Sequence, residues 1–400
     1  MKPGTTSLPQ PFSSADFDDP YATYARLRDE SPVHRIALPD GSPVWLVMRE
    51  AEVRAGLADA RLSVNKQRSG TGYKGFSLPP ALDANLLNID AADHLRLRRL
   101  VSKTFTPRRI QSLQDSIQDA ADELATVIER QLDEGAVDLV AEYASPLPLM
   151  VIGNLLGVPE QDHKPFADWV ATMFAPKGPA DLEQAVDHIH HYLLRLIEQL
   201  RQNPDDRLLS ALIAVRDEDD RLTEDELVSL AFLILFAGSE STQHVISGGM
   251  LALFENPAQL QEIRNDPGLL DEAVEEILRY AHPNHTAVRR FPLQDIVIAG
   301  TSIPAGDTVM LCLASAHRDP SRYPDPDRFD IHRQNKSHLA LGLGIHYCLG
   351  APLARLELRI ALDTMLRRFP GLTLNVPADQ LCWRSSFRSH VLKSLPVTAG

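Results

Sequence analysis

The reactive group that stands out in this chain is a thiol. Cys348 lies in the run LGLGIHYCLG over 341–350, with glycines at 342, 344 and 350, directly before a helical pattern. A lone cysteine is ordinarily an inert core residue. Here the glycines let the backbone approach a partner closely. The following helix would aim N–H groups and its positive dipole end at the sulfur, which favours thiolate. No second Cys or His stands at zinc spacing, so a closed structural zinc site is excluded. A single axial thiolate does suit a haem iron. Cys312 and Cys382 have no such surroundings and read as core residues; three widely spaced cysteines point to a reducing compartment.

Three further patterns carry chemistry. AGSEST (237–242) interrupts a long apolar helical run. Small Ala237 and Gly238 would let a flat body lie against the helix, and a Gly–Ser pair is a known cause of a local kink. Glu240 and Ser241 would then present an acid and an alcohol over that body; the bland alternative is a polar break in a core helix. In DEAVEEILRY, Glu276 and Arg279 stand three apart, opposite the apolar face of Val274, Ile277 and Leu278. Alone, that spacing reads as a solvated helix pair worth a few tenths of a kcal/mol. In DHLRLRRLV (93–101), His94 and Arg98 share a helix face at a spacing of four. That face can offer charge-assisted donors to a buried carboxylate, or belong to a basic solvated helix with Arg96, Arg99 and Lys103.

The segment HLALGLGIHYCLGAPLAR (338–355) resembles the haem-binding signature of the cytochrome P-450 family, Phe-Gly-x-Gly-x-(Arg/His)-x-Cys-x-Gly. It matches at Gly342, Gly344, His346, Cys348 and Gly350, and departs at Leu341, where the family usually has Phe. The departure bears on packing beside the thiolate and on the iron's potential. AGSEST resembles the family's (Ala/Gly)-Gly-x-(Asp/Glu)-Thr-(Thr/Ser) pattern. The resemblance gives Glu240 the acid role and puts Ser241 in the usual threonine place, keeping the hydroxyl but losing the methyl that stiffens the rotamer. It further implies that Glu276 and Arg279 join Arg328, in PDPDRFD, in a buried Glu–Arg–Arg network bracing the core. It implies that His94, Arg98, Arg290 and His346 hold the haem carboxylates. These elements follow the family's order over residues 94–355.

The same resemblance implies haem b and dioxygen chemistry, with electrons from NAD(P)H through a ferredoxin reductase and a ferredoxin. It places substrate contacts in the loop 64–88, the region 166–187, the long helix before Glu240, residues 282–292 and the tail 384–390. The named positions are Asn65, Gln67, Leu86, Leu87, Leu233, Phe236, Ala237, Asn284, Val288 and Phe387. Arg96, Arg99, Lys103, Arg108, Arg109, Arg355 and Arg359 form a basic face suited to a small acidic ferredoxin, or are ordinary solvated charges. The substrate is expected to be a small natural product of secondary metabolism. The reaction is expected to be hydroxylation or oxidative C–C or C–N coupling, a narrower similarity pointing to tryptophan-containing cyclodipeptides. The alternatives are a macrolide-type hydroxylase, or a haem-binding or peroxide-using protein without monooxygenase turnover.

The elements that must position these residues are mostly helical. Residues 1–19 read as a loose Pro/Ser arm, and the chain is mostly helical in pattern from Tyr21 to about Tyr280. Apolar residues from Leu113 to Leu132 recur at three and four within an expected helix over 111–134. The stretch 64–88, punctuated by Gly70, Gly72, Gly75, Pro79 and Pro80, reads as a long loop. Thr223 and Glu226 form a capping box opening a helix that ends before Pro257. At about 1.5 Å per residue it would be roughly 50 Å long, so it must run through the protein's middle. Short strands are expected at 288–292, 296–299 and 308–313, a turn at 303–307, and a last long helix at 352–369.

The 400 residues are 44% hydrophobic and 24% charged, a globular balance. Forty Lys+Arg against 54 Asp+Glu leave a net charge of −14, which argues against a nucleic-acid partner. No signal peptide or spanning run is visible. The expected protein is a cytoplasmic monomer off the membrane, mainly α with small β-sheets. Its expected domain is a single helical P-450-type fold, a triangular prism, over residues 20–400.

Overall fold

The computed structural model describes residues 8–400 apart from 14, 15, 17, 71, 73–77, 84, 175, 176, 220, 221 and 385. Gly75 and parts of the 64–88, 166–187 and 384–390 segments therefore lie outside the described residues. The chain divides into two compact units, each built from separated stretches. The first comprises Met1–Gly75, Glu275–Cys348 and Cys382–Lys393; the second comprises Phe76–Val274, Leu349–Leu381 and Ser394–Gly400.

A three-stranded sheet organises the first unit. Val33–Ala37 and Pro43–Val47 pair antiparallel, with Val33 opposite Val47, and Val309–Leu311 joins Pro43–Val47 in parallel. Alternate residues face two different apolar clusters, as a two-residue period demands. Val33, Val47 and Leu311 pack with Val53 and Leu57 on one side. Ile36, Val44, Leu46 and Met310 pack with Tyr24 and Leu27 on the other. The first hairpin interrupts the mostly helical stretch expected from Tyr21 onward. Its signal was the Asp40–Gly41 turn, where Gly41 takes φ +78°, between two β-rich runs. The arm is also not loose where it is described. The Ala37 N–H donates to the Pro9 carbonyl at 2.9 Å, and the Phe12 ring meets Phe387 and Tyr24 at 4.9 and 5.6 Å.

The second unit is built on the helix Glu224–Glu255, 32 residues long. Its capping box is present: Thr223 Oγ1 accepts from the Glu226 N–H, and the Thr223 N–H donates to the Glu226 carboxylate. Eighteen of its residues are buried, so it is apolar nearly all round, as a central helix must be. The helices Pro80–Asp83, Pro146–Leu156, Pro179–Gln202 and Ala351–Arg368 pack against it. Gln114–Leu132 packs on Ala351–Arg368, where Gln118 donates to Thr364 at 2.9 Å. Pro396–Ala399 lies between Val137–Asp138 and Leu372–Leu374 in a small antiparallel sheet. Among the described residues no helix is long and apolar enough to cross a membrane.

Candidate active site

In the first unit the cysteine loop is wound by its glycines. Gly342 and Gly344 both sit in the left-handed region, at φ +74° and +72°, where any other residue would be strained. A Cβ on Gly344 would also stand 3.3 Å from the Leu57 carbonyl oxygen. The turn closes through Cys348 N–H to Leu341 O at 2.8 Å and Tyr347 N–H to Gly344 O at 3.1 Å. Leu341, His346 and Cys348 are half-buried, so the sulfur is held but reachable. Cys312, by contrast, is fully buried, and burial pushes its thiol up to about 12. Cys382 is exposed, which corrects its expected place in the core.

The same unit contains the Glu–Arg network, with one partner exchanged. Glu276 and Arg279 are each 1% exposed and meet through two bonds, Nε to Oε2 at 2.8 Å and Nη2 to Oε1 at 2.7 Å. The other guanidinium is Arg333, whose Nε is 3.3 Å from Glu276 Oε1. Arg328 is exposed, with its side chain 3.8 Å from Asp330. It lends only its carbonyl, which accepts from both Arg279 and Arg333. Further donors meet the carbonyls of His317, Pro324, Asp325 and Pro326, and the Asp330 N–H donates to Glu276 Oε1. Asp325 takes φ +46° to present its carbonyl there. Residues 316–335 hold four arginines, and nothing in their local spacing tells which one turns inward.

Arg290 is buried, paired through its backbone with Val309 and bonded through Nη1 to the Val288 carbonyl. The expected substrate positions of this unit differ in kind. The Asn65 side chain accepts from the Gln67 N–H at 2.9 Å and so caps its own short turn, while Gln67 is exposed. Asn284 bridges to Ser389, Val288 is exposed, and Phe387 packs with the Tyr24 cluster.

In the second unit, His94 is fully buried on the helix Ala91–Ser102, and Arg98 is half-buried one turn on. The middle of the long helix is graded. Ala237 is exposed, Leu233, Phe236, Glu240 and Ser241 are half-buried, and Ser239 and Thr242 are buried. The two small residues therefore serve different ends. Ala237 opens the helix face, while a Cβ on Gly238 would run into Ile152, so Gly238 lets two helices of this unit approach. Leu86 is buried and Leu87 half-buried in the segment after Asp83. Gly350 is the N-cap of Ala351–Arg368. Two residues of this unit were not singled out by the sequence: His244, one turn beyond Glu240, and Glu357, buried on the final long helix.

The cytochrome P450 family model matches residues 161–387. The chain is 46% identical to the cytochrome P450 monooxygenase PikC of Streptomyces venezuelae, over 95% of this chain and 91% of that protein. It belongs to the cytochrome P450 family. It is also 39% identical to the 6-deoxyerythronolide B hydroxylase of Saccharopolyspora erythraea, over 98% of this chain and 99% of the relative. The structure of the tirandamycin C-bound P450 monooxygenase TamI superposes with a TM-score of 0.89 at 40% identity, covering 98% of this chain and all of that one. As a cytochrome P450 the protein is a monooxygenase with a haem iron cofactor. Its donor chemistry fits that group: one held thiol, buried guanidinium and imidazole groups, and a helix face opened by an alanine.

Proposed function

We propose that this cytochrome P450 hydroxylates a large polyketide-type natural product, with electrons delivered by a ferredoxin. The observation that carries the oxidase chemistry is Cys348, half-buried on a turn that only its glycines allow. The substrate class is supported by relatives named for 6-deoxyerythronolide B and tirandamycin C. Cys348 would hold the haem iron through its thiolate. His94, Arg98, Arg290 and His346 are assigned as donors to the haem carboxylates, since a buried carboxylate needs charge-assisted partners. Bound haem supplies the activation of dioxygen and the one-electron chemistry. Glu240 holds a proton beside Ser241, and the Ser241 hydroxyl passes it on; as a serine it keeps a rotamer freedom that threonine lacks.

Ala237, Leu233 and Phe236 form the long helix's share of the substrate wall, joined by Leu86 and Leu87 from the segment after Asp83. Asn284 and Val288 are assigned the corresponding part in the first unit. Ferredoxin docking is assigned to the second unit's basic residues. Lys103 and Arg108 are exposed, whereas Arg96 is paired with Glu226 and Arg359 lies 3.9 Å from Asp271.

Two measurements test the proposal. The reduced, carbon-monoxide-bound protein should show the strongly red-shifted Soret band of thiolate ligation, lost in Cys348→Ser and kept in Cys312→Ser and Cys382→Ser. Titration with 6-deoxyerythronolide B and tirandamycin C as probes should shift the spin state, and turnover under labelled dioxygen should put the label in the product. A spin shift given only by tryptophan-containing cyclodipeptides, with the label left in water, would replace hydroxylation by coupling.

A further inference from the structure

Between Glu226 and Glu255 the long helix carries one carboxylate, Glu240, and one histidine, His244. They stand at i and i+4 and so share a face, with His244 Nε2 3.9 Å from Glu240 Oε1. Their depths differ: the His244 side chain is 3% exposed and that of Glu240 is 29% exposed. His244 lies one turn beyond the acid, on the same helix stripe as exposed Ala237 but buried. Of the helices packed on the long helix, Pro146–Leu156 carries no ionisable side chain, whereas Ala351–Arg368 carries buried Glu357. Burying an imidazole costs free energy unless a polar partner offsets it. A gap of 3.9 Å is too long for a direct hydrogen bond, but a small side-chain rotation or one water closes it.

We propose that His244 is a positioning residue for Glu240. Its Nε2–H holds Oε1, in the tautomer protonated at that nitrogen. Oε2 then turns toward Ser241. The carboxylate is then fixed in the rotamer from which it hands over its proton. This inference rests on the reading of Glu240 and Ser241 as the proton carriers.

The test uses holoenzyme with dioxygen, NADPH and a surrogate ferredoxin and reductase, and no substrate. One dioxygen, one NADPH and one proton give one peroxide. One dioxygen, two NADPH and two protons give two waters, and this route needs the proton carriers. Glu240→Gln should cut the water-forming share about tenfold or more, in line with the worth of a placed acid. His244→Leu should cut it several-fold, His244→Gln should restore most of it, and adding His244→Leu to Glu240→Gln should cost nothing more. A second readout is independent of turnover. In the reduced, carbon-monoxide-bound protein, the 15N signal of His244 Nε2 should move on Glu240→Gln.

If Glu240→Gln leaves the water-forming share unchanged, the proton-carrier reading fails and this inference fails with it. If Glu240→Gln lowers that share but His244→Leu matches wild type, or the 15N signal stays in place, only the positioning role is overturned. Should His244→Leu lose the thiolate band, His244→Gln and the 15N shift decide the question.

Discussion

Two glutamates of this protein are equally deep, each 1% exposed, and they meet burial in opposite ways. Glu276, in the first unit, is surrounded by donors: two from Arg279, one from Arg333 and one from the Asp330 backbone. Glu357, in the second unit, has an Oε1 with no hydrogen-bond partner among the described residues. Burial alone pushes its carboxyl up to about 8, so it is held protonated at neutral pH. Depth therefore does not fix the charge of a buried group; the supply of donors does. Glu276 needs its charge to hold its surroundings, and Glu357 is tolerated because it can lose its charge.

The largest effect expected from this contrast is at Glu276. Glu276→Ala leaves two buried guanidinium groups without their anion and should cost about 3–5 kcal/mol in urea unfolding. Glu357→Gln should cost little at pH 7, and equal costs at the two sites would break the comparison. Next come the arginines. Arg333→Ala should lose about 3 kcal/mol, the penalty for breaking a buried pair, whereas Arg328→Ala should stay within about 0.5 kcal/mol, as an exposed side chain should.

The pH dependence follows, with opposite signs in the two units. In the first, burial lowers His282 to about 4 and His285 to about 3, and holds His317 well below its usual value. These rings are neutral in the fold, but in the unfolded chain they take up protons near pH 6.5. Stability from them is complete above that pH and falls as pH drops toward about 4. Glu357 runs the other way. Its folded form keeps a proton that the unfolded chain releases above about 4.5, so stability falls as pH rises from there through about 8. Each group adds a slope of at most about 1.4 kcal/mol per pH unit. Unfolding measured from pH 5 to 9 should show Glu357→Gln gaining on wild type toward the alkaline end. The smallest expected effect is at the part-exposed Arg96–Glu226 pair. Arg96→Ala should change stability by no more than about 1 kcal/mol and lose even that in high salt.

What could be read from the sequence follows how local each signal is. The capping box at Thr223, the length of the helix it opens and the glycine-wound turn before Cys348 all lie within a few residues of one another, and they were readable. Arg333 reaches Glu276 across 57 positions, and no spacing rule separates it from Arg328, which sits in the more suggestive segment. Glu357, between Arg355 and Arg359, has the look of a solvated helix charge until packing turns it inward. The hairpin from Val33 to Val47 was hidden by the helical pattern on either side. Gly238 reads from the sequence as part of an open helix face, and the close approach of Ile152 adds a helix contact that no local pattern announces.

The close approach of Gly344 to the Leu57 carbonyl sets an order of assembly. The turn carrying Cys348 is seated against the end of the Glu50–Ala58 helix, nearly 290 positions earlier in the chain. Contacts of such long range form late, because the loop entropy must be overcome first. The thiol cannot reach its final place until the early and late stretches of its unit have met. If Cys348 holds the iron, as proposed, loading of the cofactor would report that these distant stretches had already found each other.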